Sequence, residues 1–173
     1  SDLFGRCLHH YLIKEAILDN NVLGFSVEYI QTYKGQYDEN DETRVEGIDT
    51  DEVIMSPTRI SLVANHIIQH HNLKTRNRQY TAIFATQSIP MLIKYYDEFR
   101  KINHNLKLAA VFSFGTNEEA EGKDEHSRDA LERIIKDYNK EQGTAFTTDT
   151  FSAYNKDIAK RVKTAQIDIL IVV

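Results

Sequence analysis

Apolar and polar residues alternate along this chain with two periods, one near 3.6 and one near 2. Leu8, Tyr11, Leu12, Ala16 and Ile17 share one helical face, so residues 8–18 predict a helix that Asp19-Asn20-Asn21 breaks. Phe25-Ser26-Val27-Glu28-Tyr29-Ile30 alternates as a half-exposed strand does. Residues 34–53 are polar and acidic with no apolar period, which predicts a flexible excursion. Ser56-Pro57 then offers a hydroxyl N-cap and a proline at the first helical position. Ile60, Val63, Ala64, Ile67 and Ile68 carry that helix to about His71, and Lys74–Arg78 follows as a basic loop.

The second half repeats one pattern. Tyr80–Ala85 reads as a buried strand, and Ser88 caps a helix that turns Met91, Leu92, Tyr95, Tyr96 and Phe99 inward. Leu106–Phe114 is a second apolar strand, followed by an acidic loop from Gly115 to Glu125. The next helix is marked by Ala130, Leu131, Ile134, Ile135 and Tyr138 and ends at Gly143. Thr150 or Ser152 opens another, with Tyr154, Ile158, Ala159 and Val162 on one face. Ile167-Asp168-Ile169-Leu170-Ile171-Val172-Val173 closes the chain as a strand buried on both faces.

From residue 80 the order is strand, helix, strand, helix, helix, strand. That alternation predicts an α/β fold with a mainly parallel sheet and right-handed crossovers, in one domain over residues 1–173. Working residues of such sheets sit beyond the carboxyl ends of the strands. The last strand has no loop after it and Ser1 is not an initiator methionine, so the sequence reads as a piece of a larger protein.

Composition narrows the class. At 173 residues the chain can bury a real core, and 41% hydrophobic with 27% charged residues is ordinary for a globular protein. No apolar run is long enough for a bilayer and no signal-peptide pattern is present, which favours the cytoplasm. One cysteine, Cys7, excludes an internal disulfide and suits a reducing compartment. The net charge of −5 means that any contact with nucleic acid rests on a local patch.

Neither glycine-rich phosphate loop, G-x-x-x-x-G-K-[ST] or G-x-G-x-x-G, occurs. His66 and His70 have the spacing of two metal ligands on a helix but read as a solvated polar face, and His9-His10 as packing or surface residues. Cys7 reads as a small buried side chain, and the acidic run Asn117–Glu125 as a solvated loop that lacks calcium-loop spacing. The strand ends carry more chemistry. Thr86, Gln87 and Ser88, and likewise Ser113–Thr116, place hydroxyls and free amides where a helix begins, which suits a phosphate or a simple helix cap.

In their order and spacing these segments resemble the restriction (R) subunit of type I restriction–modification enzymes. Leu3-Phe4-Gly5-Arg6 with Leu8-His9 and Tyr11 is similar to the stretch after that family's first motor domain. Ser56-Pro57-Thr58-Arg59-Ile60 resembles its Pro-x-Arg-Ile helix start, and Tyr80–Ser88 its helicase motif IV. Val111-Phe112-Ser113-Phe114 with Asn117-Glu118-Glu119 looks like the next strand and acidic loop. Ala159-Lys160-Arg161-Val162-Lys163 leading into Ile167–Val173 looks like the approach to motif V. The likeness covers nearly the whole chain and is weakest over residues 34–53.

The resemblance implies most of the second RecA-like domain, a three-layer P-loop NTPase-type fold, of an ATP-driven superfamily 2 DNA translocase whose polypeptide also carries an endonuclease. ATP and Mg2+ would serve the parent, with the nuclease carboxylates and Walker residues before Ser1 and motifs V and VI after Val173. No catalytic, ATP-binding or metal-binding residue carries over, and the fragment is expected to be inactive alone. The implied partners are duplex DNA, the first RecA-like and nuclease domains, and the modification and specificity subunits, with no membrane. By motif IV, Thr86, Gln87 and Ser88 would touch the DNA backbone, with Ser113, Phe114, Lys74, Arg76 and Arg78 as looser candidates. Two alternatives stand beside this reading: a self-contained flavodoxin-like binding domain, and a motor fragment of another superfamily 2 helicase.

Overall fold

The structure, a computed structural model, describes residues 10–22, 24–30, 50–112 and 121–173. It separates into two compact units, Ser1–Lys34 and Gly35–Val173. Cys7, His9 and most of the 34–53 stretch lie outside the described residues.

In the first unit, helix α1 spans Ile13–Leu18 and buries only Ala16 among its residues. Glu15 accepts the Leu12 backbone N–H at 2.9 Å and so closes its amino end. Tyr11 and Leu12, expected inside, are exposed. Gly24–Ile30 forms no strand, although its sequence alternates. A strand needs a ladder partner for its backbone, and none occurs among the described residues.

The second unit is the α/β body. Its elements are α2 (Thr50–Ile54), α3 (Pro57–Lys74), β1 (Ala82–Ala85), α4 (Ile89–Lys101), β2 (Leu108–Val111), α5 (Glu121–Gln142), α6 (Phe151–Lys163) and β3 (Ile169–Val172). The caps are the expected ones. Ser56 accepts the Arg59 amide with Pro57 at the first position of α3, Ser88 accepts the Met91 amide, and Gly143 follows α5 with φ +67°. Several boundaries differ: α3 runs on to Lys74, and the strands are shorter than the apolar runs predicted, at Ala82–Ala85, Leu108–Val111 and Ile169–Val172. Helix α2 forms at the end of the polar stretch, and α5 begins at Glu121, inside the expected acidic loop.

The sheet is parallel, with strand order β1-β3-β2. Chain direction across it reverses: α4 carries β1 to the far edge, and α5 with α6 returns the chain to the centre. Phe84, Ile171 and Ala110 stand side by side in register on one face. There Phe84 meets the Tyr95 ring edge-on at 4.8 Å and the Phe99 ring at 6.1 Å, so α4 seals this face. Leu92 and Phe99 are fully buried there, worth about 1.5–3 kcal/mol each.

The opposite face is uneven. Across one rung Ala109 is buried, Leu170 is half-buried and Ile83 is 66% exposed. The closing strand is therefore fully buried on only one of its faces. Tyr154, Ile158 and Val162 of α6 turn inward as expected, but Ala159 is exposed.

Charge is matched between α4 and α5. Arg133 pairs with Asp97, Arg100 with Glu141 and Asp137, and the Tyr96 hydroxyl donates to Asp137 at 3.2 Å.

Candidate nucleic-acid interface

The residues singled out in the sequence fall at opposite ends of the sheet. Thr86, Gln87 and Ser88 form the turn between β1 and α4, at the carboxyl end. The Thr86 amide donates to the Val172 carbonyl at 2.8 Å, and its hydroxyl reaches the same oxygen at 3.1 Å. Thr86 therefore ties the ends of β1 and β3 together. Ser88 Oγ accepts the Met91 amide at 3.4 Å, a long bond that leaves the hydroxyl proton available. Gln87 is exposed, and its side chain makes no hydrogen bond among the described residues.

Pro90 changes what this helix start can offer. It sits at the second helical position and has no N–H, and the Met91 amide is already taken by Ser88. The donors without a bond among the described residues are the amides of Gln87, Ser88 and Ile89, the Ser88 hydroxyl and the exposed Gln87 side chain. That is enough for one phosphate oxygen cluster, and weaker than a glycine-built phosphate loop.

The basic loop sits at the amino ends of the strands. Four strand residues, about 13 Å, separate it from Thr86. Arg76, Asn77 and Arg78 take three consecutive left-handed backbone conformations, with φ of 51°, 55° and 63°. The turn is held by Thr75, whose hydroxyl accepts the Arg78 amide at 3.2 Å and whose carbonyl accepts the Tyr80 amide at 3.3 Å.

The three basic side chains divide here. Arg78 is engaged by the fold: it donates to Asn72 and to the carbonyl and side chain of Asn105, and lies 3.8 Å from Asp168. Arg76 lies over the Tyr80 ring, 5.8 Å from its centre, with both residues exposed. Lys74 is exposed at the end of α3. Ser113 and Phe114 lie outside the described residues.

A polar junction at the same end went unread in the sequence. His71 is 2% exposed and donates from Nε2 to the Asp168 carbonyl, which also accepts the Ala82 amide at 2.8 Å. The Asp168 carboxylate takes the Lys107 amide at 2.7 Å. The available signals were His71 lying 11 residues after Ile60 on the buried stripe, and Asp168 as the one charge in an apolar strand.

His66 and His70 stack at 4.1 Å, with His70 Nδ1 bonded to the His66 carbonyl. Among the described residues no group of three or more His, Cys, Asp or Glu side chains could hold a metal ion. Nor does any described helix have the length and apolarity to cross a membrane.

The model of type I restriction enzyme subunit R domain 3 matches residues 78–173. The chain belongs to the type I restriction enzyme R subunit family. It is 49% identical over 184 residues to the SauCOLORF180P endonuclease subunit of Staphylococcus aureus (strain COL), an alignment covering 100% of this chain and 20% of the relative. The SauMRSORF196P subunit of strain MRSA252 is also 49% identical with the same coverage. The SsaAORF53P subunit of Staphylococcus saprophyticus is 56% identical over 152 residues, covering 83% of this chain and 16% of the relative. The chain thus spans about a fifth of the length of the curated relatives it matches, and the reading as a self-contained flavodoxin-like domain loses its ground. The α/β body with its parallel sheet agrees with the RecA-like fold that the family resemblance implied.

Proposed function

We propose that this chain is part of the ATP-dependent DNA-translocating motor of a type I restriction endonuclease R subunit, and that its own share is scaffold plus DNA-backbone contact at Thr86–Ser88. The observation that carries the reading is the β1–α4 turn. It lies at the carboxyl end of a parallel sheet and has amides and a hydroxyl proton without a partner among the described residues, beside one exposed carboxamide. Contacts of this kind grip phosphate and sugar without reading bases, as a motor moving over any sequence requires.

The described residues contain neither a phosphate-binding glycine loop nor a cluster of metal ligands. In this reading nucleotide and metal are held by other parts of the R subunit, and the isolated chain turns over no ATP and cuts no DNA. The surroundings that follow are the first RecA-like and nuclease domains of the same polypeptide, the modification and specificity subunits, duplex DNA and the cytoplasm.

Gln87→Ala in the full-length subunit is the cleanest test, since that side chain holds nothing in the fold. DNA-stimulated ATPase should need more DNA for half-maximal rate, with the maximal rate and basal ATPase retained. An unchanged DNA dependence in Gln87→Ala and in Ser88→Gly would reduce the turn to a helix cap.

A further inference from the structure

Helix α6 presents a row of exposed lysines. Lys156, Lys160 and Lys163 recur at i, i+4 and i+7, so they form one row, and all three are exposed. No carboxylate among the described residues lies within salt-bridge distance of any of them, although, against the effect of burial, Lys160 is near enough to Asp157 to help Tyr138 and Arg161 hold its carboxyl below the usual range. The one acid on the helix, Asp157, is taken by Arg161 Nε at 2.8 Å and by the Tyr138 hydroxyl at 2.6 Å. On α4 and α5, Arg100 and Arg133 each face a carboxylate, while Lys136 and Lys140 of α5 form only a two-residue exposed pair. The lysine row therefore stands out on a chain whose net charge is −5.

Completion of the helix end does not account for the row. The Thr164 hydroxyl already bonds the Lys160 and Arg161 carbonyls at 3.1 and 3.2 Å. The Arg161 carbonyl also takes the Gln166 amide at 2.9 Å. Lys156 lies about two turns from the end, beyond the last turn in which the helix dipole favours a cation.

We infer that Lys156, Lys160 and Lys163 form a phosphate-tracking strip for duplex DNA, separate from the β1–α4 turn. The choice of DNA as the polyanion rests on the function proposed above. The strip runs about 10 Å along the helix, the axial advance of about three phosphates on one strand of a duplex. Between and beside the lysines the exposed residues are Ser152, Ala153 and Ala159, small enough to let a backbone approach closely. No large apolar side chain is exposed on α6, so the face lacks the aromatic or aliphatic anchors of a protein–protein interface. At its carboxyl end the helix adjoins the start of β1, where the Thr81 hydroxyl bonds the Val162 carbonyl at 3.2 Å.

The test is the salt dependence of duplex DNA binding by the full-length R subunit, wild type against Lys156→Gln/Lys160→Gln/Lys163→Gln. Losing three phosphate contacts should flatten the slope of log K against log salt by about two to three and weaken binding at low salt at least tenfold. The Lys→Arg triple variant should restore both. If the wild type shows a steep salt dependence and the Gln triple matches it, the strip is overturned while the motor reading stands. If the wild type shows no salt-dependent DNA binding, both fall. Should the triple variant fail to fold, Lys156→Glu alone, at an exposed mid-helix site, must still lower the slope by about one. An unchanged slope in that variant would overturn the inference.

Discussion

His71 donates from Nε2 to the backbone carbonyl of Asp168, 97 residues later in the chain, at 3.0 Å. This bond joins helix α3 to the start of the central strand and requires a proton on Nε2. Nδ1 is left buried without a hydrogen-bond partner. His71→Ala should lower unfolding free energy by about 2–4 kcal/mol through the cavity and the lost bond. Gln69→Ala, exposed on the same helix, should stay within about 0.5 kcal/mol of wild type. Urea titration of both variants checks this.

Arg78 and Arg76 make a second contrast. Arg78 ties the loop after α3 to Asn72, Asn105 and Asp168, whereas Arg76 only covers Tyr80. Arg78→Ala should cost about 1–2 kcal/mol, a figure held down by its partial exposure. Arg76→Gly relieves a left-handed backbone at a residue with a Cβ, which offsets the lost ring contact, and should be close to neutral. Equal effects of the two substitutions on thermal midpoint would contradict this division.

Burial first of all pushes the phenols of Tyr96, Tyr138 and Tyr154 well above their ordinary value of 10.0; neighbouring Asp137 and Asp157 add to the effect at Tyr96 and Tyr138. A raised folded-state value means the fold favours the neutral phenol. The stabilisation is complete below pH 10 and drains away as pH rises beyond it. The denaturation midpoint should therefore fall steeply on the alkaline side, with phenolate absorbance from these rings rising together with unfolding. Tyr154→Phe isolates one bond, since its hydroxyl donates to the Ala110 carbonyl at 2.8 Å. Losing it should cost about 1–3 kcal/mol by stranding a buried backbone oxygen.

Ser88 can be separated into its two roles. Ser88→Ala removes the N-cap of α4 and should cost about 0.5–2 kcal/mol of stability, whereas Ser88→Gly should cost only a few tenths. Both remove the hydroxyl offered to DNA. Equal weakening of DNA-stimulated ATPase in the two variants, despite unequal thermal midpoints, would assign the effect to contact rather than to folding.

Local signals were legible in the sequence and distant pairings were not. Ser56, Ser88 and Gly143 terminate helices through bonds that span only a few residues, so the residue type alone announces them. The alternation of strands and helices after residue 80 likewise gave the parallel α/β class. Strand order did not follow, because the pairing of Phe84 with Ile171 and of Ala110 with Ile171 is decided by packing of residues far apart in the chain. Gly24–Ile30 shows the converse: its alternation is that of a strand, yet no ladder forms around it among the described residues. At the candidate interface, Thr86–Ser88 was found because hydroxyls cluster where a strand gives way to a helix. Arg78 resembled a surface cation until its ties to Asn105 and Asp168 were visible, and whether Lys156, Lys160 and Lys163 meet carboxylates depends on elements far apart in the chain.

The bond from Tyr154 to Ala110 gives the sheet a direction of growth. The ladder turns the Lys107 carbonyl toward β3, so by alternation the Ala110 carbonyl points away from the sheet, and a phenol already occupies it. Along β1 the outward backbone groups of Ile83 and Ala85 meet no such stopper among the described residues, and the Ile83 side chain stands in the open beside them. A further strand from a longer polypeptide would find the Ala110 carbonyl already taken on one side and, among the described residues, an open border on the other.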